Sequence, residues 1–117
     1  MVEVITTEEF NTWFDDLDED ETRAVVRVVD LLEARGVHLP FPYSSDIKGS
    51  KYALRELRVQ SGGRPLRILY AFDPRRQAVL LLGADKTGLS DKIFYASYVP
   101  RSETIWEEYL QAMRSQS

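Results

Sequence analysis

The sequence predicts a single α+β domain over residues 1–117: an N-terminal helical hairpin packed on a twisted, mainly antiparallel sheet of about four strands, then C-terminal helices. Three observations lead to this prediction. Segments 53–60 and 64–72, in which apolar and polar residues alternate, flank a Gly-Gly pair typical of a two-residue β-hairpin loop. Residues 78–84 are almost all apolar, as in a strand covered on both faces. Segments before and after the predicted sheet carry apolar residues at helical spacing.

Two helices are predicted before the main strands. Residues 2–5 form a short apolar start that we expect to be a strand, and Thr6 with Glu9 fits a capping box for the first helix. Acidic residues 18–21 begin the second helix, because negative charge is favourable near a helix N-terminus, and Gly36 ends it. The residues predicted to face the core are Phe10, Trp13, Phe14 and Leu17 in the first helix and Val25, Val26, Val29 and Leu32 in the second.

The hairpin at the Gly-Gly pair has a register that its turn determines. With a loop of two residues, apolar Leu57 faces apolar Ile68 on one side of the strand pair. The same register sets Arg58 directly opposite Arg67 on the other side. Like charges facing each other across two strands are unfavourable by a few tenths to about 1 kcal/mol. An anion between the two guanidinium groups would remove this cost.

The third main strand follows a turn at Asp73-Pro74. Proline fixes the backbone dihedral in this turn, and the aspartate side chain caps the turn. This strand, residues 78–84, delivers Asp85 and Lys86 just beyond its end. Functional side chains are commonly held at such positions by a rigid support.

The remaining segments are a loop and two helices. Residues 37–50 contain Pro and Gly and lack an apolar period, which predicts a loop. Ser90 is predicted to cap a short helix that Pro100 ends, and Ser102 to cap a last helix. The apolar stripe of that last helix comprises Ile105, Trp106, Tyr109, Leu110 and Met113.

Composition excludes several classes of function. Cysteine is absent and His38 is the one histidine, so a disulfide framework, a thiolate metal site and a histidine-rich metal site are excluded. The nucleotide-binding motifs G-x-x-x-x-G-K-[ST] and G-x-G-x-x-G and a serine-nucleophile elbow are also absent. No apolar run approaches the ~20 residues of a membrane span, and the N-terminus lacks a signal pattern. We therefore expect a cytoplasmic protein without metal, cofactor or membrane association.

Charge is divided unevenly along the chain. Residues 1–34 hold eleven acidic and two basic side chains, whereas residues 35–101 hold five acidic and twelve basic ones. The net charge of −4 therefore conceals a basic central segment. Two interpretations remain open: charged helices and a basic sheet edge that only solubilise the protein, or a basic groove that binds a polyanion.

Paired arginines suit one particular chemistry. RNA carries its own nucleophile, the 2′-hydroxyl, so an enzyme that cleaves it without metal must stabilise the crowded phosphorane and move protons. Fork-shaped guanidinium groups match phosphate oxygens. A lysine or a tyrosine (Tyr52, Tyr70 or Tyr95) whose pKa is lowered by neighbouring cations, or Asp85, can serve the proton transfers. Alternatively, Arg58 and Arg67 pair with Glu56 and with carboxylates of another segment. The residues by themselves leave both interpretations open.

The segment 47–88 resembles the RelE/ParE superfamily of bacterial toxins, in its HigB-like branch. The motif Glu56-Leu57-Arg58 resembles the second strand of that branch, and the pattern R-x-L-Y-x-F at residues 67–72 resembles the third. The apolar strand that ends in Lys86 resembles the fourth, and the order of helices and strands also agrees.

This resemblance implies the toxin of a type II toxin–antitoxin system, an endoribonuclease (mRNA interferase) that cleaves mRNA in the ribosomal A site without metal or cofactor. It implies that Arg58 and Arg67 contact the scissile phosphate and that Lys86 lies beside them as the third member of the catalytic set. The residues implied in RNA contacts are Lys48, Lys51 and Arg55.

The resemblance also implies partners. These are a cognate antitoxin, usually a helix-turn-helix DNA-binding protein that represses the shared operon, and the ribosome with its mRNA. Contact with DNA would be indirect, through the antitoxin. Two other functions stay open: a toxin that inhibits a target such as DNA gyrase by protein binding, and an inactive co-repressor that binds the antitoxin.

Overall fold

The computed structural model describes residues 1–116 and confirms the α+β class. One five-stranded sheet has the strand order β1-β5-β4-β3-β2, with helices on both faces. The prediction of about four strands is corrected to five, and that of separate C-terminal helices to one long helix. In chain order the elements are β1 (Val4–Thr6), α1 (Glu8–Asp15), α2 (Glu19–Arg35), a short 3-10 helix (Gly36–His38), β2 (Ser44–Asp46), β3 (Arg55–Ser61), β4 (Arg64–Phe72), β5 (Ala78–Asp85) and α3 (Asp91–Ser115).

The central hairpin has the predicted register. Strands β3 and β4 are antiparallel, with Leu57 opposite Ile68 and Arg58 opposite Arg67. Both turn glycines have positive φ, 57° at Gly62 and 79° at Gly63, as a two-residue turn matched to strand twist requires. The turn therefore determines which side chains share a face.

The sheet edges differ from the prediction. Strand β2 pairs antiparallel with β3, although the sequence predicts a loop there, and β1 pairs parallel with β5. The residues of β2, Ser-Ser-Asp, have low strand propensity, so only pairing with β3 makes them a strand. The hydroxyl of Ser44 lies 2.6 Å from that of Tyr70 and joins this edge to β4.

Helices α1 and α2 cover one face of the sheet. The predicted aromatic stripe of α1 is confirmed, because Phe10 is buried and the other three residues pack against the same core. In α2, Val25 and Leu32 are buried as predicted, but Val28 is also buried and Val26 is 42% exposed. Val26 is offset from Val25 by about a quarter turn of the helix, so the Val26 side chain points away from the sheet. Helix α1 packs mainly on β5, and α2 packs mainly on β3. The two helices predicted as a hairpin therefore contact different strands of the sheet.

The helix starts follow from capping side chains. Thr7 caps α1 by accepting the Phe10 N–H at 3.1 Å, which corrects the predicted capping box at Thr6. Asp18 and Glu21 form a reciprocal capping box on α2. Glu21 also forms an ion pair with Arg64 at 2.5 Å, and this ion pair links the turn of the central hairpin to the start of α2.

Helix α3 covers the other face and continues through Pro100, which the sequence predicts to end a helix. Proline removes one intrahelical hydrogen bond and costs about 3 kcal/mol in a helix interior. Phe94 and Val99 before it and Ile105 and Trp106 after it all lie in one core cluster with the sheet, and this burial offsets the cost. Ser102 is buried inside α3 and caps nothing, whereas Ser90 caps α3 as predicted. None of the helices within residues 1–116 combines the length and apolar character that a membrane span requires.

Candidate functional site

Three adjacent strands bring Arg58, Arg67 and Lys86 to the face of the sheet that α3 covers. Arg58 on β3 is opposite Arg67 on β4, and Arg67 is opposite Ala84 on β5. Lys86 follows Ala84 by two residues, and its N–H donates to the Pro65 carbonyl at 2.8 Å. Since side chains alternate along a strand, the three cationic groups share one face.

A buried carboxylate lies between the two arginines. Glu56 is 3% exposed, with Oε1 3.7 Å from Nε of Arg67 and Oε2 3.6 Å from Nη1 of Arg58. The hydroxyl of Tyr95 donates to Oε2 at 2.7 Å and that of Ser45 donates to the same oxygen at 3.0 Å. Of the predicted alternative, the pairing of both arginines with Glu56 is therefore observed, whereas within residues 1–116 no ion pair joins either arginine to a carboxylate of another segment. The carboxylate removes the repulsion that the strand register imposes.

The two arginines differ in accessibility. Arg67 is 5% exposed; its Nη1 donates to the Leu66 carbonyl at 3.1 Å, and its Nε has no hydrogen-bond partner within residues 1–116. The Arg58 side chain is 33% exposed, and its guanidinium lies over the ring of Phe41, 5.3 Å from the centroid. Arg58 is thus the member of the pair that a large ligand can reach, whereas Arg67 is buried.

Lys86 is paired with the start of α3. Its Nζ lies 2.7 Å from Oδ1 of the exposed Asp91. The Lys86 ammonium, by hydrogen bond and by charge, lowers the pKa of Asp91 below 3.8, and Arg67 and Arg58 act in the same direction. Asp91 therefore lies in the field of all three cationic groups.

The hydroxyl of Tyr95 is a hydrogen-bond donor in this cluster. Burial, followed by its hydrogen bond to Glu56, raises the pKa of the Tyr95 hydroxyl well above 10.0. Its nearness to Arg67 lowers that pKa, but by less, so the prediction that neighbouring cations lower the pKa of the reacting tyrosine is wrong for Tyr95. The hydroxyl therefore stays protonated at neutral pH, where it donates to Glu56.

The other proposed proton-transfer groups lie apart from this cluster. Asp85 is opposite Leu66, on the other face of the sheet, and accepts from the N–H of Thr87 at 2.8 Å. Tyr70 is buried on that face beside Ser44. Tyr52 donates to Glu107, far along α3.

The residues expected to contact RNA do not gather at the same point. Lys51 lies 3.1 Å from Glu107, which is three turns beyond Tyr95, about 18 Å along an ideal helix. Lys48 is exposed in the turn that follows β2. Arg55 faces the opposite side of β3 from Arg58, where it pairs with Asp46 and donates to Ser44. The structure therefore joins the predicted catalytic set and separates the predicted RNA-contact set from it.

The cluster of Glu56, Arg58, Arg67, Lys86, Asp91 and Tyr95, here called the basic cluster, contains three cations and two carboxylates. Its net positive charge is small because the protein supplies its own anions. The sequence contains the signal for Glu56, since residues two apart on a strand share a face. Asp91 comes from the start of α3, and no local pattern connects it to β3. No grouping of three or more His, Asp or Glu side chains within residues 1–116 is arranged to hold a metal ion.

Residues 12–106 match the family described as Phage derived protein Gp49-like (DUF891). The chain belongs to this family. Two relatives of this Gp49-like protein come from Mycobacterium tuberculosis. One, named "Putative toxin HigB3", is 38% identical over 108 residues, which cover 92% of each chain. Another, named "Putative toxin HigB2", is 32% identical over 105 residues, which cover 88% of this chain and 52% of that relative.

Proposed function

We propose that this Gp49-like protein is the toxin of a type II toxin–antitoxin system, and that it is an mRNA endonuclease acting on the translating ribosome. The names of the two mycobacterial relatives support the toxin role, because one of them aligns over nearly the whole of both chains. The basic cluster supports the nuclease activity. We also assign the protein to the HigB-like branch of the RelE/ParE superfamily and to the cytoplasm.

The observation that carries the proposal is the pairing of Arg58 with Arg67 on adjacent strands. Two rigid strands hold both guanidinium groups on the α3 face. Because these groups are already positioned, little side-chain conformational entropy is lost when a phosphate binds. The contact of Arg58 with Glu56, at 3.6 Å, is longer than a hydrogen bond. A phosphate can therefore replace Glu56 as the partner of Arg58 without breaking a short ion pair.

The proposed reaction is attack by the 2′-oxygen of the RNA on the neighbouring phosphorus. The 2′-hydroxyl loses its proton to solvent, the bond from phosphorus to the 5′-oxygen of the next nucleotide breaks, and that oxygen takes a proton from solvent, which leaves a 2′,3′-cyclic phosphate and a 5′-hydroxyl. Arg58 contacts the non-bridging oxygens of the phosphate and stabilises the charge that develops on them. Lys86 adds a second positive charge beside that phosphate. Glu56, held by Tyr95 and Ser45, keeps Arg67 in place below Arg58.

The partners belong to the same proposal. A cognate antitoxin, which we propose to be a helix-turn-helix DNA-binding protein, neutralises the toxin and gives it indirect contact with DNA. The ribosome and its mRNA are the substrate assembly.

Induction of the toxin alone, followed by mapping of RNA 5′ ends, tests the proposal. Wild-type protein should arrest growth and produce new 5′ ends within translated mRNA. Arg58→Ala should remove both effects at an equal level of folded protein. Arg75→Ala is the matched control, because Arg75 is an exposed arginine in the turn beyond the far end of β4. Intact mRNA during growth arrest would contradict the nuclease proposal.

A second candidate function is favoured by the internal neutralisation of the cluster. Glu56 and Asp91 already pair with Arg67 and Lys86, so the cluster can be a structural network that needs no RNA. In that case the protein inhibits a target such as DNA gyrase by protein binding, or serves as an inactive co-repressor bound to the antitoxin. Growth arrest with a DNA-damage response and intact mRNA would support the first of these, and absence of growth arrest the second.

A further inference from the structure

A groove of about 320 Å³ opens at the edge of β3, next to Arg58. Strand β2 pairs with β3 only as far as Leu57, and the Arg58 N–H donates to the Tyr43 carbonyl at 2.9 Å. Beyond that point α2 forms one wall and Pro42 and Tyr43 form the other. The volume is at the lower end of the roughly 300 to 1,000 Å³ that is usual for small-molecule sites.

Two exposed aromatic rings stand beside this groove. Tyr43 lines it and is 43% exposed, and Phe41, under the Arg58 guanidinium, is 68% exposed. Aromatic side chains beside cationic groups are the platforms on which proteins stack the bases of single-stranded RNA.

The charged and polar side chains of the groove also suit RNA. Arg27 on α2 is exposed and lines it, and among the ion pairs of residues 1–116 none includes Arg27. Gln60, at the exposed end of the groove, has an amide that can both donate to and accept from a base edge. None of the residues that line the groove in the described part of the chain carries a carboxylate. It is therefore a cationic and aromatic site in a region where α2 is otherwise acidic.

We propose that this groove binds a nucleobase of single-stranded RNA, next to the phosphate that Arg58 contacts. The base stacks on Tyr43, Gln60 hydrogen-bonds its edge, and Arg27 contacts the adjoining phosphate. Phe41 has a different role, because its ring supports the Arg58 guanidinium. The inference rests on the proposed function, in which the ligand is RNA and Arg58 contacts its phosphate.

Binding of a short single-stranded RNA at low ionic strength tests the groove. The probe is compared with the same RNA carrying one abasic nucleotide, placed at each position in turn. Wild-type protein should bind the intact RNA about 5- to 100-fold more tightly than the RNA that is abasic at one particular position, as expected for one stacked base. Tyr43→Ala should abolish this difference, and Tyr43→Phe, which keeps the ring, should retain it. Arg58→Ala should weaken binding of both RNAs by the same factor.

Ile93→Ala is the matched control, because Ile93 is an exposed apolar residue on α3 that does not line the groove, and this variant should bind RNA like the wild type. If Tyr43→Ala retains the difference between the two RNAs while Arg58→Ala weakens both, the base site is overturned and the proposed function stands. If Tyr43→Ala instead disrupts only the complex with the antitoxin, the aromatic rings serve a protein partner and the inference is also overturned. If wild-type protein does not bind RNA and mRNA stays intact after induction, both the base site and the nuclease proposal fail.

Discussion

Arg67 and Glu56 form a buried ion pair in which Nε of Arg67 lies 3.7 Å from Oε1 of Glu56. Three other side chains share this carboxylate: Arg58, Tyr95 and Ser45. Among the described residues 1–116 the Arg67 Nε has no hydrogen-bond partner, so the pair is held by charge rather than by a short hydrogen bond. Loss of either partner leaves a buried charge with incomplete compensation, and this has consequences that can be measured.

Arg67→Ala should lower the free energy of unfolding by about 3 kcal/mol, the lower end of the effect of breaking a buried ion pair, because Arg58 still lies near Glu56. Denaturant unfolding measures the change. The double variant Arg67→Met/Glu56→Gln removes both charges and should recover most of the loss. Equal unfolding midpoints for Arg67→Ala and wild type would show that the pair does not stabilise the protein. The expected instability also makes Arg58→Ala, rather than Arg67→Ala, the informative variant for activity.

Arg58→Ala and Arg55→Ala make a matched pair, because the two arginines lie on one strand and point to opposite faces. We expect Arg58→Ala to abolish mRNA cleavage, with little effect on stability. Arg55→Ala should preserve cleavage and lower the free energy of unfolding by about 1 kcal/mol, since it removes hydrogen bonds to Ser44 and to the Tyr70 hydroxyl. RNA 5′-end mapping and denaturant unfolding of both variants provide the comparison. Cleavage lost with Arg55→Ala and kept with Arg58→Ala would place the reaction on the other face of the sheet.

Tyr109 should make stability fall at alkaline pH. Burial, followed by its hydrogen bond to the buried Asp73, raises the pKa of the Tyr109 hydroxyl from 10.0 to about 12. The folded state therefore holds this proton more tightly than the unfolded state. The contribution is complete below pH 10.0 and is lost progressively as pH rises toward about 12.

Comparison of wild type with Tyr109→Phe isolates this contribution. The free energy of unfolding should fall less steeply above pH 10.0 in the variant, which has no hydroxyl to ionise. Tyr95→Phe should have the same kind of effect, because the Tyr95 pKa is raised as well. Identical pH dependence in all three proteins would contradict the prediction.

Gly83→Ala should destabilise the protein by about 1 to 3 kcal/mol through overpacking. A Cβ at Gly83 would lie 2.2 Å from Cε3 of Trp13, whose ring packs directly on the β5 backbone. The double variant Gly83→Ala/Trp13→Leu should be less destabilised than the sum of the two single changes, because a smaller side chain leaves room for the methyl group. Strict additivity of the two changes in denaturant unfolding would show that the ring and the glycine are not coupled.

The sequence by itself determined the central hairpin. Its two-residue turn sets the register, and the alternation of residues on strands then places Leu57 opposite Ile68 and Arg58 opposite Arg67. It also determined the buried stripe of α1 and the burial of β5 on both faces, because both follow from local spacing. Charge counts along the chain were enough to locate the basic segment.

Tertiary structure decided what local spacing does not encode. Strand β2 forms because its backbone pairs with the edge of β3. Helix α3 continues through Pro100 because apolar residues on both sides of the proline are buried against the sheet. The same is true of the basic cluster. Tyr95 reaches Glu56 only because α3 folds back over the sheet. The charge itself is neutralised by Glu56, which lies beside Arg58 and Arg67, and by Asp91, which pairs with Lys86 across the short turn between them. Register is a property of one turn, whereas the hydrogen bonds that hold Glu56 come from α3 and β2, and they require the complete fold.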